Sequence, residues 1–236
     1  MNSTRMVAVR GSPGEILRPT HELLEGQMRL IHTASFLAMG FLFLSGASSA
    51  QDRPSGWQIR FDRPDTPETE VTFVSMEPGF HITTGPAGIY FNPSNAATGN
   101  YRVESTIHLF DTGGRNREAF GIFVGGTDLN GGSQAYTYFL IRNDGHFLIK
   151  ARSGAETRTI VDWMAFEGID VHPGGDGTAD NTLAIEVVGD AVTFYINGEE
   201  MASFPTAAMQ TSGVAGIRVN HSLNIHVRSF SVRGAS

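Results

Sequence analysis

The sequence predicts an all-β protein, folded as an antiparallel β-sandwich of the jelly-roll type. First, many short segments alternate apolar and polar residues with period two, and turns rich in glycine, asparagine and aspartate separate them. Second, beyond residue 50 no long segment carries the apolar spacing of a helix, and no repeat of fixed period occurs. Sandwiches are the architectures that bury many short strands of this kind.

Composition limits the classes of function. The chain has 236 residues, 28 of them glycine, and a formal net charge of −7. A negative protein gains nothing electrostatically from nucleic acid or from an anionic membrane surface, so neither is an expected partner. The sequence has no cysteine, which excludes disulfides, thiolate catalysis and cysteine-ligated zinc.

Residues 28–50 have the features of a secretory signal peptide. Arg29 supplies a positive start, residues 34–44 form an apolar run, and Ser48 and Ala50 are the small residues that a cleavage site needs. A membrane-spanning helix needs about 20 apolar residues, and this run is shorter. We therefore expect cleavage after Ala50, a secreted or periplasmic protein, and no membrane span after cleavage.

The segment before the signal peptide is expected to be a spurious or disordered extension. Signal peptides start at the N-terminus, so residues 1–27 are out of place, and Met28 is the expected start. Glu25 and Gly26 would be encoded by a purine-rich run resembling a bacterial ribosome-binding site. Residues 51–236 are then a single β-sandwich domain, long enough to bury a sizeable core.

The first half of the domain is expected to contain six strands. Each is a short alternating segment that ends at a polar or glycine-rich turn, as at Pro78-Gly79. Their expected ranges are 56–62, 69–76, 79–83, 88–92, 101–110 and 118–126. In the last, Phe120, Ile122 and Val124 share one side. The other side is Ala119, Gly121 and Phe123, of which the two small residues leave room for a neighbouring backbone or a ligand.

The central feature of the domain is the hairpin formed by residues 135–154. The turn Asn143-Asp144-Gly145 joins its strands, because asparagine and aspartate tolerate turns and glycine accepts a positive φ. If Arg142 pairs with His146, one face is apolar and belongs in the core: Thr137, Phe139, Ile141, Phe147, Ile149 and Ala151. The other face can meet water or a polar ligand: Tyr136, Tyr138, Leu140, Arg142, His146, Leu148, Lys150 and Arg152.

Strands continue to the end of the chain. Residues 157–163 form one strand, and residues 164–170 are the only place where a short helical turn is expected. The pattern of residues 182–204 gives three strands, since Gly189-Asp190 and Asn197-Gly198 are hairpin turns. Two more strands, 213–219 and 222–232, complete the fold. We expect Phe139, Phe147, Ile185 and Phe194 to pack between the two sheets.

The order of these later segments resembles a known superfamily. A tyrosine-rich hairpin (136–152) is followed by N-x-L-x-I-x-V and F-Y-I-N-G (181–198), then by G-x-x-G-I-R-V and F-S-V (213–232). This order is similar to that of the concanavalin A-like lectin/glucanase superfamily, in its laminin-G-like and 3-keto-disaccharide-hydrolase-like branch. The resemblance implies a concanavalin A-like jelly roll and a carbohydrate ligand.

Two motifs of that superfamily are absent. Family-16 glucanases carry the strand motif E-x-D-x-(x)-E, whereas Glu167 and Asp170 have the wrong spacing and stand outside a clear strand. The metal loop of legume lectins has no counterpart. Calcium is the one metal with candidates, Asp176 and Asp180 in the loop GGDGTADN, since hard cations bind such oxygens; an ordinary turn is the alternative.

The polar face of the central hairpin is the candidate ligand site. Tyrosine rings pack on sugar C–H faces, and basic side chains donate to hydroxyls or carboxylates. The candidates on the hairpin are Tyr136, Tyr138, Arg142, His146, Lys150 and Arg152. The neighbouring hairpin would add Glu186, Thr193 and Tyr195. The alternative is a solvated face on which tyrosine and arginine are ordinary cross-strand partners.

Three functions remain open at this stage. The first is an exported carbohydrate-binding protein without catalysis. The second is a glycoside-processing hydrolase of the 3-keto-disaccharide type. The third is an envelope interaction or structural module. The sequence assigns no catalytic residue, because no histidine or carboxylate has a visible partner for acid–base chemistry.

Overall fold

The computed structural model describes residues 52–235 and confirms an all-β fold built from two antiparallel sheets. The expected signal peptide at 28–50, its cleavage site after Ala50 and the expected extension at 1–27 lie outside the described residues. Within residues 52–235, no helix is long and apolar enough to cross a membrane. Regular helix is limited there to two 3₁₀ turns, Glu68–Glu70 and Thr206–Ala208.

Fourteen strands form the described part of the chain. Their bounds are β1 Gln58–Phe61, β2 Val71–Ser75, β3 Phe80–Thr84, β4 Gly88–Ala97, β5 Tyr101–Leu109, β6 Ala119–Thr127, β7 Ala135–Arg142, β8 His146–Ser153, β9 Glu156–Ala165, β10 Ala179–Val188, β11 Ala191–Ile196, β12 Glu199–Pro205, β13 Gly213–Val219 and β14 Leu223–Gly234. The first sheet has the order β1-β4-β13-β6-β7-β8-β9, and the second has the order β12-β11-β10-β5-β14-β3-β2.

The core lies between the two sheets, as expected. Phe139, Phe147, Ile185 and Phe194 are all buried in one apolar cluster. The ring of Phe139 on β7 meets that of Phe194 on β11 edge to face, with centroids 5.4 Å apart. These two residues therefore connect the first sheet to the second through direct aromatic contact.

The register of the central hairpin is the one that the sequence predicts. Arg142 pairs with His146, Tyr138 with Lys150, and Tyr136 with Arg152. Gly145 has a φ of +76°, and its N–H donates to the carbonyl of Arg142 at 3.1 Å. Turn chemistry and the alternating pattern agree here, so the face assignments of β7 and β8 hold.

The prediction of a helical turn at residues 164–170 is wrong. Strand β9 runs on to Ala165, and the chain then makes a hydrogen-bonded turn in which the N–H of Ile169 donates to the carbonyl of Phe166. Ile169 packs into the core from this turn. Because β9 includes residues 164 and 165, the part of the segment that remains is too short to form a helix.

Asn143 holds the turn of the central hairpin to the segment before β10. Its buried amide accepts from the N–H of His172 at 2.6 Å and donates to the carbonyl of His172 at 3.2 Å. It also donates to the side-chain oxygen of Asn116 at 2.9 Å. The amide thus pairs with a buried backbone unit much as a neighbouring strand would.

We expect Asn143→Ala to lower the free energy of unfolding by about 1–3 kcal/mol, because it leaves buried backbone groups of His172 without partners. Urea denaturation at neutral pH measures this loss. Asn130→Ala is the matched control, since the exposed Asn130 donates only to the side chain of Gln58. Equal losses in the two variants would show that the buried amide has no special role.

Candidate functional site

The candidate site lies on the outer face of the first sheet, meaning the side turned away from the core. Cross-strand pairing places Phe123 between Gly216 and Tyr138, and Tyr138 between Phe123 and Lys150. The adjacent row places Arg218 between Ile89 and Gly121. Side chains from five neighbouring strands, β4, β13, β6, β7 and β8, therefore share one surface, which includes the predicted hairpin residues.

The tyrosines of this face are buried, which corrects the expectation that they meet water. Tyr136 is 1% exposed and Tyr138 is 6% exposed. They belong to a second apolar cluster, separate from the core, whose buried members are Ile89, Phe91, Ala119, Phe123, Leu129, Tyr136, Tyr138, Leu140 and Leu148.

Two local features explain this burial. Gly216 has no side chain, and a Cβ there would meet the ring of Phe123, so the ring lies close against the sheet. Leu129, from the loop between β6 and β7, packs into the same cluster. Arg60 holds that loop by donating to the carbonyls of Leu129 at 3.3 Å and Gly131 at 3.0 Å.

The space expected beside Ala119 and Gly121 is filled by protein. A Cβ on Gly121 would overlap the carbonyl oxygen of Phe139 in the adjacent strand. Of the two occupants that the sequence allowed there, the structure shows a neighbouring backbone.

Five residues form a charged and aromatic group on this face, which we call the Asp62 cluster: Asp62, Tyr136, Tyr138, Arg152 and Arg218. Arg218 donates to both carboxylate oxygens of Asp62, at 2.8 and 2.7 Å, and to the hydroxyl of Tyr136 at 3.2 Å. Its guanidinium also lies 5.2 Å from the ring centroid of Tyr138. Arg152 is farther away, with Nη2 3.8 Å from the Asp62 carboxylate.

The electrostatics of the cluster follow from burial and pairing. Burial alone would raise the pKa of Asp62, but the hydrogen bond from Arg218 and the positive charges of Arg218 and Arg152 lower it below its usual value. Burial opposes the charge of Arg218, and its contacts with Asp62 outweigh this effect and raise its pKa. The ion pair is therefore fully charged at neutral pH.

Burial raises the pKa of four of the five tyrosines: Tyr90, Tyr101, Tyr136 and Tyr138. The pKa of Tyr90 rises to about 12. Because the folded state favours the protonated phenols, its stability should be full below pH 10 and fall above it. We expect absorbance at 295 nm to show most tyrosine ionisation only when the protein unfolds. Ionisation of all five near pH 10 in the folded state would contradict this burial.

The cluster opens toward solvent at Asp62. The Asp62 side chain is 32% exposed, against 7% for Arg218 and 13% for Arg152. Asp62 also lines a cleft of about 950 Å³. The other lining residues are Arg63, Pro64, Asp65, Thr66, Pro67, Glu70, Gly85, Pro86, Ala87 and His221. A ligand in this cleft would reach the cluster from its open end.

The remaining hairpin candidates lie on the same face, nearer the turn. Arg142 pairs with Asp144 at 2.9 Å, and its guanidinium lies 4.0 Å from the ring centroid of Trp163. His146 also contacts Asp144, with Nδ1 3.1 Å from the carboxylate. Lys150 is half-buried opposite Tyr138 and forms no ion pair with any of residues 52–235.

Glu186, Thr193 and Tyr195 do not join this site, contrary to the sequence-based expectation. They belong to β10 and β11 of the second sheet, whose outer face points away from the first. Glu186 lies 3.5 Å from Arg102, and the guanidinium of Arg102 lies 4.9 Å from the ring centroid of Tyr195. Period two correctly put these side chains outside the core but did not identify their sheet.

The calcium candidates are also separated. Asp180 contacts His108 and Arg228, each at 3.2 Å, whereas Asp176 stands in the exposed loop before β10. In the part of the chain that the structure describes, no group of three or more histidine, aspartate or glutamate side chains is placed to hold a metal ion. Calcium binding at these residues stays a prediction without a supporting cluster.

Sequence reasoning missed two members of the site. Arg218 stands between the core residues Ile217 and Val219, and alternation alone marks it as an outward arginine in the quoted motif G-x-x-G-I-R-V. Asp62 carries no comparable signal. Its position follows β1, and only the tertiary fold brings it to Arg218, 156 residues away.

Comparison with solved structures identifies the fold. A carbohydrate-binding module, CBM66 from Bacillus subtilis, aligns with a TM-score of 0.56 and 13% identity over 76% of this chain and 96% of that chain. A Bacillus licheniformis β-glucanase aligns with a TM-score of 0.53 and 9% identity, over 78% of this chain and 95% of the other. No protein-family model and no curated protein sequence matches the chain.

A Bacillus subtilis protein of unknown function with a galectin-like fold is also similar, with a TM-score of 0.51 and 10% identity. The alignment covers 75% of this chain and 89% of that one. Together these structures confirm the expected concanavalin A-like β-sandwich fold. At such low identities the likeness concerns the fold alone.

Proposed function

We propose that this protein binds carbohydrate on the outer face of its first sheet, at the cleft that ends in the Asp62 cluster. The observation that supports this most is that Asp62, held in a fixed orientation by Arg218, opens into a cleft of about 950 Å³. Charged groups of fixed orientation bond to sugar hydroxyls with defined geometry. The solved structures of similar fold include a carbohydrate-binding module.

The state of Asp62 argues against its serving as the acid of a glycosidase. A glycosidase acid needs a raised pKa, so that it holds a proton at neutral pH. Asp62 has a lowered pKa and both its oxygens accept from Arg218, so it has no proton to give. In this arrangement it is suited to accept hydrogen bonds from sugar hydroxyls.

Export is part of this proposal. A carbohydrate-binding protein of this kind would meet glycans outside the cytoplasm, and the signal-like residues 28–50 support that location. N-terminal sequencing of the protein recovered from the envelope or medium should then begin at Gln51. A cytoplasmic product that keeps residues 28–50 would contradict export without affecting the binding site.

A glycan array followed by calorimetry tests the proposed function. We expect at least one saccharide class to bind, and Tyr138→Ala to weaken its affinity about tenfold or more, because the buried ring of Tyr138 packs against the Arg218 guanidinium that positions Asp62. Tyr195→Ala is the matched control, because Tyr195 is an outward tyrosine of the second sheet. Thermal unfolding of both variants separates lost affinity from lost folding.

Three results would overturn the proposal. Binding of no glycan would favour an envelope interaction or structural module. Turnover of 3-keto-glucosides or glucans would favour the hydrolase. Equal loss of affinity in Tyr138→Ala and Tyr195→Ala would mean that the outer face of the first sheet is not the site.

A further inference from the structure

Three histidines lie side by side on the outer face of the second sheet. His81 on β3 pairs with His226 on β14, and His226 pairs with His108 on β5. The row continues with Asp180 on β10, which pairs with His108. The ring of Phe110 meets those of His81 and His108 edge to face, with centroids 5.3 and 4.8 Å apart. The row is therefore sheltered from solvent: His108 is buried, and His81 and His226 are half-buried.

Hydrogen bonds fix which nitrogen of His81 and of His226 carries the hydrogen at neutral pH. Nε2 of His226 lies 2.9 Å from the carbonyl oxygen of Pro78, which can only accept, so this nitrogen is the donor. Nε2 of His81 lies 3.2 Å from the hydroxyl of Thr83, and that hydroxyl donates its own hydrogen to the side-chain oxygen of Asn224 at 3.0 Å. In both neutral rings the hydrogen is therefore on Nε2, and Nδ1 carries none.

A second proton on either ring would lack a hydrogen-bond acceptor. The Nδ1 atoms of His81 and His226 are both buried, and neither has a hydrogen-bond partner. Protonation would create a buried N–H group without acceptor or water, and would place two positive charges on directly paired residues. In keeping with this, burial lowers the pKa of His81 below its ordinary value of 6.5 and the neighbouring His226 lowers it further, against an opposing hydrogen bond with Asn224.

No carboxylate is paired with these two rings. Among residues 52–235, the histidines within salt-bridge distance of an acidic side chain do not include His81 or His226. The carboxylate of the row, Asp180, already lies 3.2 Å from both His108 and Arg228. The other neighbours are the uncharged Val74 of β2, Glu77 in the β2–β3 turn, and Asp111 and Arg115, which line a cleft with Thr83 and Asn224.

The pair of His81 and His226 joins the β2–β3 hairpin to the rest of the second sheet. Strand β2 is the last strand of that sheet, and β3 lies between β2 and β14. Both ends of the hairpin line the cleft of about 950 Å³, Glu70 just before β2 and Gly85 just after β3. The N–H of Gly85 donates to the carbonyl of Glu70 at 3.2 Å. A change in the pairing of β3 with β14 would therefore reach one wall of the cleft.

We propose that the His81–His226 pair is an acid-sensitive switch: protonation weakens the pairing of β3 with β14, and this loosens the β2–β3 hairpin and the cleft wall that it carries. Phe73 and Phe80 of the hairpin pack in the core, so the expected effect is local loosening rather than unfolding of the sandwich. The consequence for binding rests on the proposed function: a saccharide in the cleft would be held less tightly in acid than at neutral pH.

Amide hydrogen exchange followed by NMR tests the inference without any saccharide. Exchange rates are compared at pH 7.5 and pH 5.0 after correction for the intrinsic effect of pH on exchange. Because the folded pKa of His81 is lowered, the closed hairpin should be most stable above pH 6.5 and lose stability as the pH falls below it. We expect the protection of β3 and Gly85 amides to fall about tenfold at pH 5.0, and that of β7 and β8 amides to stay unchanged.

The double variant His81→Gln, His226→Gln should keep its hairpin equally protected at both pH values, since glutamine retains a side-chain N–H donor and takes up no proton. His221→Gln is the matched control. His221 is exposed and lines the cleft, so acid should still loosen the hairpin of that variant.

Unchanged protection of the parent hairpin at pH 5.0, or the same loss in the double variant, would overturn the switch. If the double variant fails to fold, NMR titration of the His81 ring in the parent protein replaces it. A midpoint at or above pH 6.5 would overturn the switch, and a lower midpoint that coincides with the loss of protection would support it. These outcomes involve no saccharide, so the switch and carbohydrate binding can fail independently.

Discussion

Replacing Asp62 by alanine is expected to lower the free energy of unfolding by about 3–5 kcal/mol, the usual cost of leaving a buried charge without its partner. The Arg218 side chain is only 7% exposed, and Asp62 is the one carboxylate among residues 52–235 within salt-bridge distance of it. A guanidinium cannot lose its charge at any pH that the protein survives, so Arg218 would stay charged in an apolar setting. Guanidinium chloride denaturation at pH 7 measures the loss.

The double variant Asp62→Ala, Arg218→Leu provides the control. Because it removes both charges, it should recover much of the stability that Asp62→Ala loses. A double variant no more stable than Asp62→Ala would show that the ion pair is not the source of the effect. The outer face would then depend on packing around Tyr136 and Tyr138 instead.

Acid sensitivity should change in the same variant. The pKa of Asp62 is lower in the folded protein than its usual value of 3.8. Its contribution to stability is therefore complete above pH 3.8 and is lost as the pH falls through the folded pKa. Asp62→Ala should accordingly lose less stability than the parent protein over that acid range.

The second large effect concerns the core. Phe139→Ala should lower the free energy of unfolding by about 3–5 kcal/mol, because it removes a fully buried ring and leaves a cavity. The ring centroid of Phe139 lies 6.1 Å from that of Phe147 on the first sheet and 5.4 Å from that of Phe194 on the second. The loss of this ring therefore affects the packing of both sheets. Chemical denaturation measures it.

Met164→Ala is the control for the core substitution. The side chain of Met164 on β9 is exposed, so its loss should change stability by no more than about 0.5 kcal/mol. A loss below about 1 kcal/mol in Phe139→Ala would contradict the packing between the sheets that the account requires.

The central hairpin could be predicted from the sequence because its determinants are local. A turn of known chemistry fixes which residues pair, and period two then fixes the face of every side chain in β7 and β8. The same logic identified Phe194 and Ile185 as core residues. Such inferences need no knowledge of distant strands.

The site itself depends on long-range pairing, which periodicity does not encode. Strand β13 enters the first sheet between β4 and β6, and this places Arg218 beside Gly121 and within reach of Asp62. Alternation likewise shows that the side chain of Tyr195 points away from the core, but it does not show that Tyr195 belongs to the second sheet. Sheet membership decides both outcomes, and it is set by the packing of the whole chain.

The burial of Tyr136 and Tyr138 illustrates the same limit. Alternation places them outside the core, and an outward side chain is usually hydrated. Here Leu129, from a loop between β6 and β7, and the absence of a side chain at Gly216 give these rings apolar neighbours. The result is a second cluster that no pattern within β7 or β8 indicates.

Mapping the bound saccharide by NMR tests the central claim most directly. Backbone amide shifts would be followed during titration with whichever oligosaccharide binds. We predict that the perturbed amides cluster on β6, β7, β8 and β13 and near Asp62, with β10 and β11 unaffected. Perturbations centred on the second sheet around Glu186 and Tyr195 would contradict it.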